Sequence, residues 1–133
     1  MSYEIGWLVE EKVIELHVSR DIASEILFAA SRDIIVLMDS STAPLVHLIV
    51  NETDMGNFPK QIKNVMDAAE FINHPKMGWV LIYGNDSPFL NFLSPMVARV
   101  ARLRHRRFQN GADAYNFLFS VDATLPQIER VAI

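Results

Sequence analysis

Two groups of polar side chains follow the two most apolar stretches of the chain, and their residue types suit ligand or partner binding. One group follows the apolar run 45–50 and the other follows the run 78–83. Ligands of open parallel sheets bind beyond the carboxyl ends of the strands, so we expect both groups at one edge. The candidate binding loops comprise Asn51, Thr53 and Asp54 in the first group, and Asn85, Asp86 and Ser87 in the second. Helix capping alone is the alternative role of the second group.

The strongest charge feature is a cluster that places five of the twelve basic residues within Arg99–Arg107. Arg102, Arg104 and Arg106 are the candidate anion-binding residues, since guanidinium groups bind carboxylate and phosphate bidentately. The alternative is a solvated helix end and an edge strand whose charge prevents edge pairing. We do not expect nucleic acid as a partner, because the chain is acidic overall and the cluster lacks interleaved aromatics.

Signatures of catalysis and metal binding are missing from the sequence. There is no cysteine, no Gly-x-Ser-x-Gly elbow, no phosphate-binding glycine loop and no helical histidine pair. His47 lies inside an apolar run, which indicates a hydrogen-bonded core residue. We therefore expect no metal, no cofactor and no enzymatic activity; the alternative is an enzyme that uses His47 or Asp54.

Length and composition indicate one globular domain over residues 1–133. Half of the residues are hydrophobic and 21% are charged, which is typical of soluble proteins. No apolar run is long enough to span a bilayer and no signal peptide is recognisable, so we expect a cytoplasmic protein. Residues 1–58 carry ten acidic and three basic residues, whereas residues 59–133 carry six and nine. This asymmetry favours head-to-tail contacts or an anionic partner.

Hydrophobic periodicity predicts an α/β fold with the element order β-β-α-β-α-β-α-β-α. Alternation over residues 3–9 and 13–18 predicts a hairpin, and the non-alternating run 45–50 predicts a central strand that is buried on both faces. The sheet should be mixed but largely parallel, with about five strands and about four helices. Residues 104–108 should form a short strand near an edge.

Four helices are predicted from capping residues and helical spacing. The first is capped by Ser19 or Asp21 and ends in the turn Asp39–Thr42; the second runs from Pro59 to a stop at His74-Pro75. The third continues through Phe89–Val100, with either a kink near Asn91 or a short first helix before the main one from Pro95. Its Phe89–Val97 stretch is apolar over more than one face, as for a buried helix, a dimer seam or a cavity wall. The fourth is capped by Asn110 with Asp113, and residues 122–133 form a tail or a partner-binding arm.

Scattered residues along nearly the whole chain resemble the SpoIIAA-like group, within the wider class of sulfate transporter and anti-sigma factor antagonist (STAS) domains. The resemblance is carried by Glu4–Leu8, Val46–Val50, Phe58-Pro59, His74-Pro75 and Gly78-Trp79. It implies a non-enzymatic α/β domain used for regulated protein contacts or for binding small or lipidic ligands.

The resemblance also implies a phosphorylatable serine just after the central strand, and here the sequence departs from the pattern. The matching loop, residues 51–55, contains Thr53 but no serine, and Glu52 and Asp54 would repel a phosphate on it. Ser40 and Ser41 precede the strand and are interpreted as part of a helix-ending turn.

Two hypotheses of function follow. The first is a homodimeric regulatory or protein-interaction module of SpoIIAA-like type. The second is a carrier or sensor of a small amphipathic or lipid-like anion, held between the Phe89–Val97 helix and the Arg99–Arg107 cluster.

Overall fold

A five-stranded sheet organises the part of the chain that the computed structural model describes, which comprises residues 3–57, 62–84, 95, 99 and 104–125. The strands lie side by side in chain order. The first pair is antiparallel and the other three pairs are parallel, so the predicted mixed, largely parallel sheet is confirmed, with the third strand in its centre. The strands are β1 (Tyr3–Val9), β2 (Val13–Val18), β3 (Val46–Asn51), β4 (Met77–Tyr83) and β5 (His105–Phe108).

Three α-helices and one 3-10 helix connect or follow the strands within the described residues. They are α1 (Ser24–Ser40), α2 (Ile62–Ala68), the 3-10 helix (Glu70–Asn73) and α3 (Gly111–Val121). The predicted helix over Phe89–Val97 lies outside the described residues, except that Pro95 is helical, as is Arg99 beyond it.

Two predicted helix boundaries are wrong. Helix α1 begins at Ser24 after Ala23, which makes no side-chain cap, because Asp21 is engaged elsewhere: its Oδ1 accepts the Asn57 N–H at 2.7 Å. The second predicted helix, from Pro59 to a stop at His74-Pro75, is interrupted at Ala69, and its predicted start lies outside the described residues. The Ser31 hydroxyl accepts the Phe71 N–H at 3.0 Å, and the chain continues as a 3-10 turn.

Alternation along the strands sends side chains to two hydrophobic layers on opposite faces of the sheet. One layer, on the α1 face, contains Ile14, Leu48 and Val80 with Ile34 of α1. The other layer, on the α3 face, is built by Val13, Ile49 and Leu81 with Tyr115 and Leu118 of α3. Because β3 is covered on both faces, its sequence shows no alternation.

The strands β1 and β5 form the two edges of this sheet. The β1–β2 turn places Glu11 at a φ of 66°, where its carboxylate accepts the N–H and the hydroxyl of Thr42, both at 2.8 Å. The segment after α1 is therefore fixed beneath the hairpin. The interpretation of Ser40 and Ser41 as a helix-ending turn is confirmed, since the Ser41 N–H donates to Met38 O at 3.2 Å.

Candidate functional site

The loop of residues 51–57, which we call the β3 loop, leaves the carboxyl end of the central strand and has its own local order. Asn51 Oδ1 accepts the Thr53 N–H at 3.0 Å and the Thr53 hydroxyl at 2.6 Å. This side-chain bond to a backbone two residues ahead closes an Asx-type turn. Thr53 and Asp54 are thereby presented at the exposed tip of the loop.

A buried ion pair ties the β3 loop to the edge strand β5. Glu52 is 4% exposed, and its Oε1 lies 3.1 Å from Arg107 Nη2. Burial raises the pKa of Glu52, and the Arg107 guanidinium opposes that rise. The pair spans β4, so the loop position depends on a residue two strands away.

Contacts to β2 and to the segment before α1 hold the far half of the β3 loop. Asp54 Oδ2 lies 3.0 Å from His17 Nε2. The N–H of Gly56 donates to Arg20 O at 3.1 Å, and the Ile22 N–H donates to Asn57 O at 2.7 Å. A Cβ on Gly56 would lie 2.1 Å from Asp21 Oδ1, so a side chain there cannot fit without displacing Asp21. The loop is fixed along its length.

Gly84, the last described residue before the second predicted binding loop, lies against the β3 loop. Gly84, at a φ of 97°, lies against Thr53, and a Cβ on this glycine would come within 2.2 Å of Thr53 Oγ1. A glycine is needed here for its left-handed conformation and for the close approach. Asn51, Thr53 and Asp54 therefore lie near Gly84, at the carboxyl ends of β3 and β4. Asn85, Asp86 and Ser87 lie outside the described residues.

The arginine cluster is divided between the two faces of the sheet. Arg107 points to the α1 face and pairs with Glu52, whereas Arg106 lies on the α3 face with its guanidinium 4.9 Å from the Phe117 ring centroid. Arg104 is exposed, and its Nη2 lies 3.4 Å from Met77 O. Arg102 lies outside the described residues. Anion binding by Arg102, Arg104 and Arg106 stays a prediction.

His47 is the hydrogen-bonded core residue that the sequence predicts. It is 2% exposed; its Nδ1 accepts the Trp79 N–H at 2.9 Å, and Nε2 therefore carries the proton and donates to Asp122 Oδ2 at 2.8 Å. Burial raises the pKa of Asp122, but hydrogen bonds from Thr124 and His47 outweigh it and hold that pKa at about 2. Both ring nitrogens are engaged in the core.

Residues 122–125 are packed against the sheet, which corrects the prediction of a tail from residue 122 onward. Leu125 is buried in the α3-face layer, and Lys12 Nζ donates to Thr124 O at 2.8 Å. The remainder of the predicted tail, residues 126–133, lies outside the described residues.

Sequence reasoning missed three of the residues that position the β3 loop. Asp21 is a favourable helix-capping residue type, and nothing in the neighbouring sequence indicates that it accepts the Asn57 N–H instead. Glu52 and Arg107 lie 55 positions apart and carry no pairing signal. The available signal was the position of Glu52 directly after a buried strand. A carboxylate that is buried there requires a partner.

Within the described residues, no group of three or more histidine, aspartate or glutamate side chains is arranged to hold a metal ion. The described helices include none that is both long enough and apolar enough to cross a membrane.

Sheet order, strand directions and helix placement define the architecture as a SpoIIAA-like α/β fold. A solved structure with this fold is that of an uncharacterized protein of the DUF3478 family from Shewanella loihica PV-4. The two chains superpose with a TM-score of 0.63 at 9% sequence identity, over 87% of this chain and 91% of the other. The SpoIIAA-like resemblance is thereby confirmed at the level of the fold.

No protein-family model matches the sequence, and no curated protein matches it either.

Proposed function

We propose that the protein is a non-enzymatic, homodimeric interaction module that binds a protein partner through the β3 loop. The observation that carries the proposal is the combination of an exposed loop tip with fixation from three elements. Arg107 holds the loop from β5, His17 holds it from β2, and Asp21 holds it from the segment before α1.

Such fixation favours binding of a partner surface. A loop that is already ordered loses little conformational entropy on association, so its contacts contribute more fully to affinity. Thr53, Asp54, Gly56 and Asn57 are all exposed and polar or small. Loops that are positioned by a rigid scaffold are also where recognition residues concentrate.

The chemistry of the polar side chains at this edge also supports a binding role. Glu52 and His17 each have an internal ionic partner, and the Thr53 hydroxyl has an internal hydrogen-bonding partner. A general base needs free access to a substrate proton, and a nucleophile needs an adjacent base. These side chains are committed to holding the loop.

The test places a photo-crosslinking amino acid at position 53 of the full chain and expresses this protein in its source cells. The control carries the same amino acid at position 116, on the exposed side of α3. The partner captured from position 53, either a second copy or another protein, is then purified. Its affinity is compared for the unmodified protein, Thr53→Arg and Asn116→Arg. We expect at least tenfold weaker binding for Thr53→Arg and unchanged binding for Asn116→Arg.

Equal capture at the two positions, or equal affinity of the two arginine variants, would refute the proposal. Native mass spectrometry of the freshly purified protein tests the proposed homodimer and the alternative hypothesis of an anion carrier. A dimer without added mass agrees with the interaction module, whereas a reproducible anionic or lipid-like adduct favours the carrier hypothesis.

A further inference from the structure

Two polar atoms on the α3 face of the sheet are buried without a hydrogen-bond partner in the described part of the chain. They are Oε2 of Glu15 on β2 and the hydroxyl of Tyr83 on β4. Tyr83 is 3% exposed. Leaving such a group unpaired costs about 1–3 kcal/mol, and buried polar atoms in native proteins are rarely left so. Each of the two atoms therefore has unused hydrogen-bonding capacity.

Sheet register places these two side chains on the same face. Glu15 is level with Ile49 of β3, and Tyr83 is level with Asn51, two residues further along the same side. Burial raises the pKa of the Tyr83 hydroxyl, and the charge of Glu15 raises it further, so the two groups interact electrostatically. They do not hydrogen-bond to each other, and each keeps its bonding capacity for a third group.

Open space lies beside Glu15 on the edge strand. Gly6 of β1 is directly opposite Glu15 in the hairpin, and a Cβ built on Gly6 would meet no heavy atom of the described residues within 4 Å. A larger residue at this position would cover the carboxylate. The glycine therefore adds no side chain beside Glu15, whose Oε2 is itself buried.

The charge around this space favours a cation. Strands β1–β4 contain no lysine or arginine, and their two acidic residues, Glu4 and Glu15, both lie on the α3 face. His17 lies opposite Glu4 and two residues beyond Glu15, and it is paired with Asp54. Burial raises the pKa of Glu15, and the charge of His17 lowers it. A calcium ion would need about six to eight oxygen ligands, far more than one carboxylate and one phenol supply.

We propose that Glu15, Tyr83 and the open position at Gly6 form a binding site for a small organic ammonium compound. The ammonium N–H groups would donate to Glu15 Oε2 and to the Tyr83 hydroxyl oxygen, which satisfies both orphaned atoms. The alkyl part would occupy the space above Gly6. This site is separate from the β3 loop tip and goes beyond the proposed partner binding.

The test is a two-dimensional NMR titration of the full-length protein with three probes of equal carbon number: n-butylammonium, butyrate and 1-butanol. We expect butylammonium alone to shift the amide signals of residues 6, 15 and 83 in a saturable way. Glu15→Gln should weaken this binding at least tenfold. Glu25→Gln, which removes an exposed carboxylate on α1, should leave it unchanged.

Two further variants separate a binding site from a structural defect. Gly6→Leu places a side chain into open space, so it should fold normally and block butylammonium. Tyr83→Phe removes an unpaired hydroxyl, so it should weaken butylammonium binding while the ligand-free protein is as stable as the parent or more stable. Equal shifts with all three probes, no shift with butylammonium, or a destabilised Tyr83→Phe protein would overturn the proposal.

Discussion

Gly78 packs directly against the imidazole of His47, and a Cβ on this glycine would come within 2.4 Å of His47 Nδ1. The ring cannot move aside easily, because the Trp79 N–H and Asp122 hold its two nitrogens. The histidine at position 47 of β3 therefore requires a glycine at position 78 of the neighbouring strand β4.

Gly78→Ala should therefore destabilise the protein by about 1–3 kcal/mol, the usual cost of forcing extra volume into a packed interior. Gly6→Ala is the matched control, since its Cβ would meet open space and should change stability little. Urea unfolding of both variants measures the difference. Equal stabilities for the two would show that the His47 ring adjusts without cost.

The hydrogen bonds that lower the pKa of Asp122 should make its contribution to stability depend on pH. Its pKa is about 2 in the fold against an ordinary value of 3.8, so the contribution is complete above about pH 4 and disappears as the pH falls through about 2. The stability advantage of the parent over Asp122→Asn should narrow from pH 6 to pH 3. Urea midpoints across this range measure it, and a constant difference would contradict the prediction.

Removal of the arginine from the buried Glu52–Arg107 pair should be costly. Arg107→Met takes the guanidinium away from a carboxylate that is 4% exposed, and we expect a loss of about 3 kcal/mol. The loss should grow as the pH rises, because burial raises the pKa of Glu52 and the neutral acid tolerates burial better.

Arg104→Met is the control for that experiment, because Arg104 is exposed and should change stability by no more than about 0.5 kcal/mol. The double variant Glu52→Gln with Arg107→Met should lose less than the two single losses combined. Guanidinium unfolding of all four variants measures the coupling; simple additivity would mean that the two side chains do not interact.

Arg106 should stabilise the α3 face through its aromatic contacts. Its guanidinium lies 4.9 Å from the Phe117 ring centroid and 5.5 Å from that of Phe108. Arg106→Ala should cost about 0.5–1 kcal/mol, and Arg106→Lys should cost less. A double-mutant cycle with Phe117→Leu checks the origin of the effect, and zero coupling energy would assign the cost to lost surface packing alone.

Features that depend on local chemistry could be predicted from the sequence. The central position of β3 follows from its lack of alternation, and β5 was recognisable as a charged edge strand. The cap of α3 depends on a bond between neighbours in sequence, since Asn110 Oδ1 accepts the Asp113 N–H at 2.9 Å. In each case the residues that determine the structure lie within a few positions of one another.

Features that depend on distant partners could not be predicted. His47 and Asp122 are 75 positions apart, and no pattern along the chain links them. Asp21 was predicted as a helix cap because aspartate is a good capping residue. Its carboxylate instead accepts the N–H of the distant Asn57, and helix α1 begins later, at Ser24. The arginine cluster was one group in sequence, and strand alternation divided it.

The five strands lie in the sheet in the same order as in the chain, and this has a consequence for how the molecule folds. Each strand pairs with the strand that precedes it in the chain, so the sheet can grow outward from the β1–β2 hairpin without threading a segment between strands already in place. Loop closure then involves neighbouring elements at every step, which keeps its entropic cost low. A ribosome that releases this chain from its amino end presents the strands in the order in which the sheet is assembled.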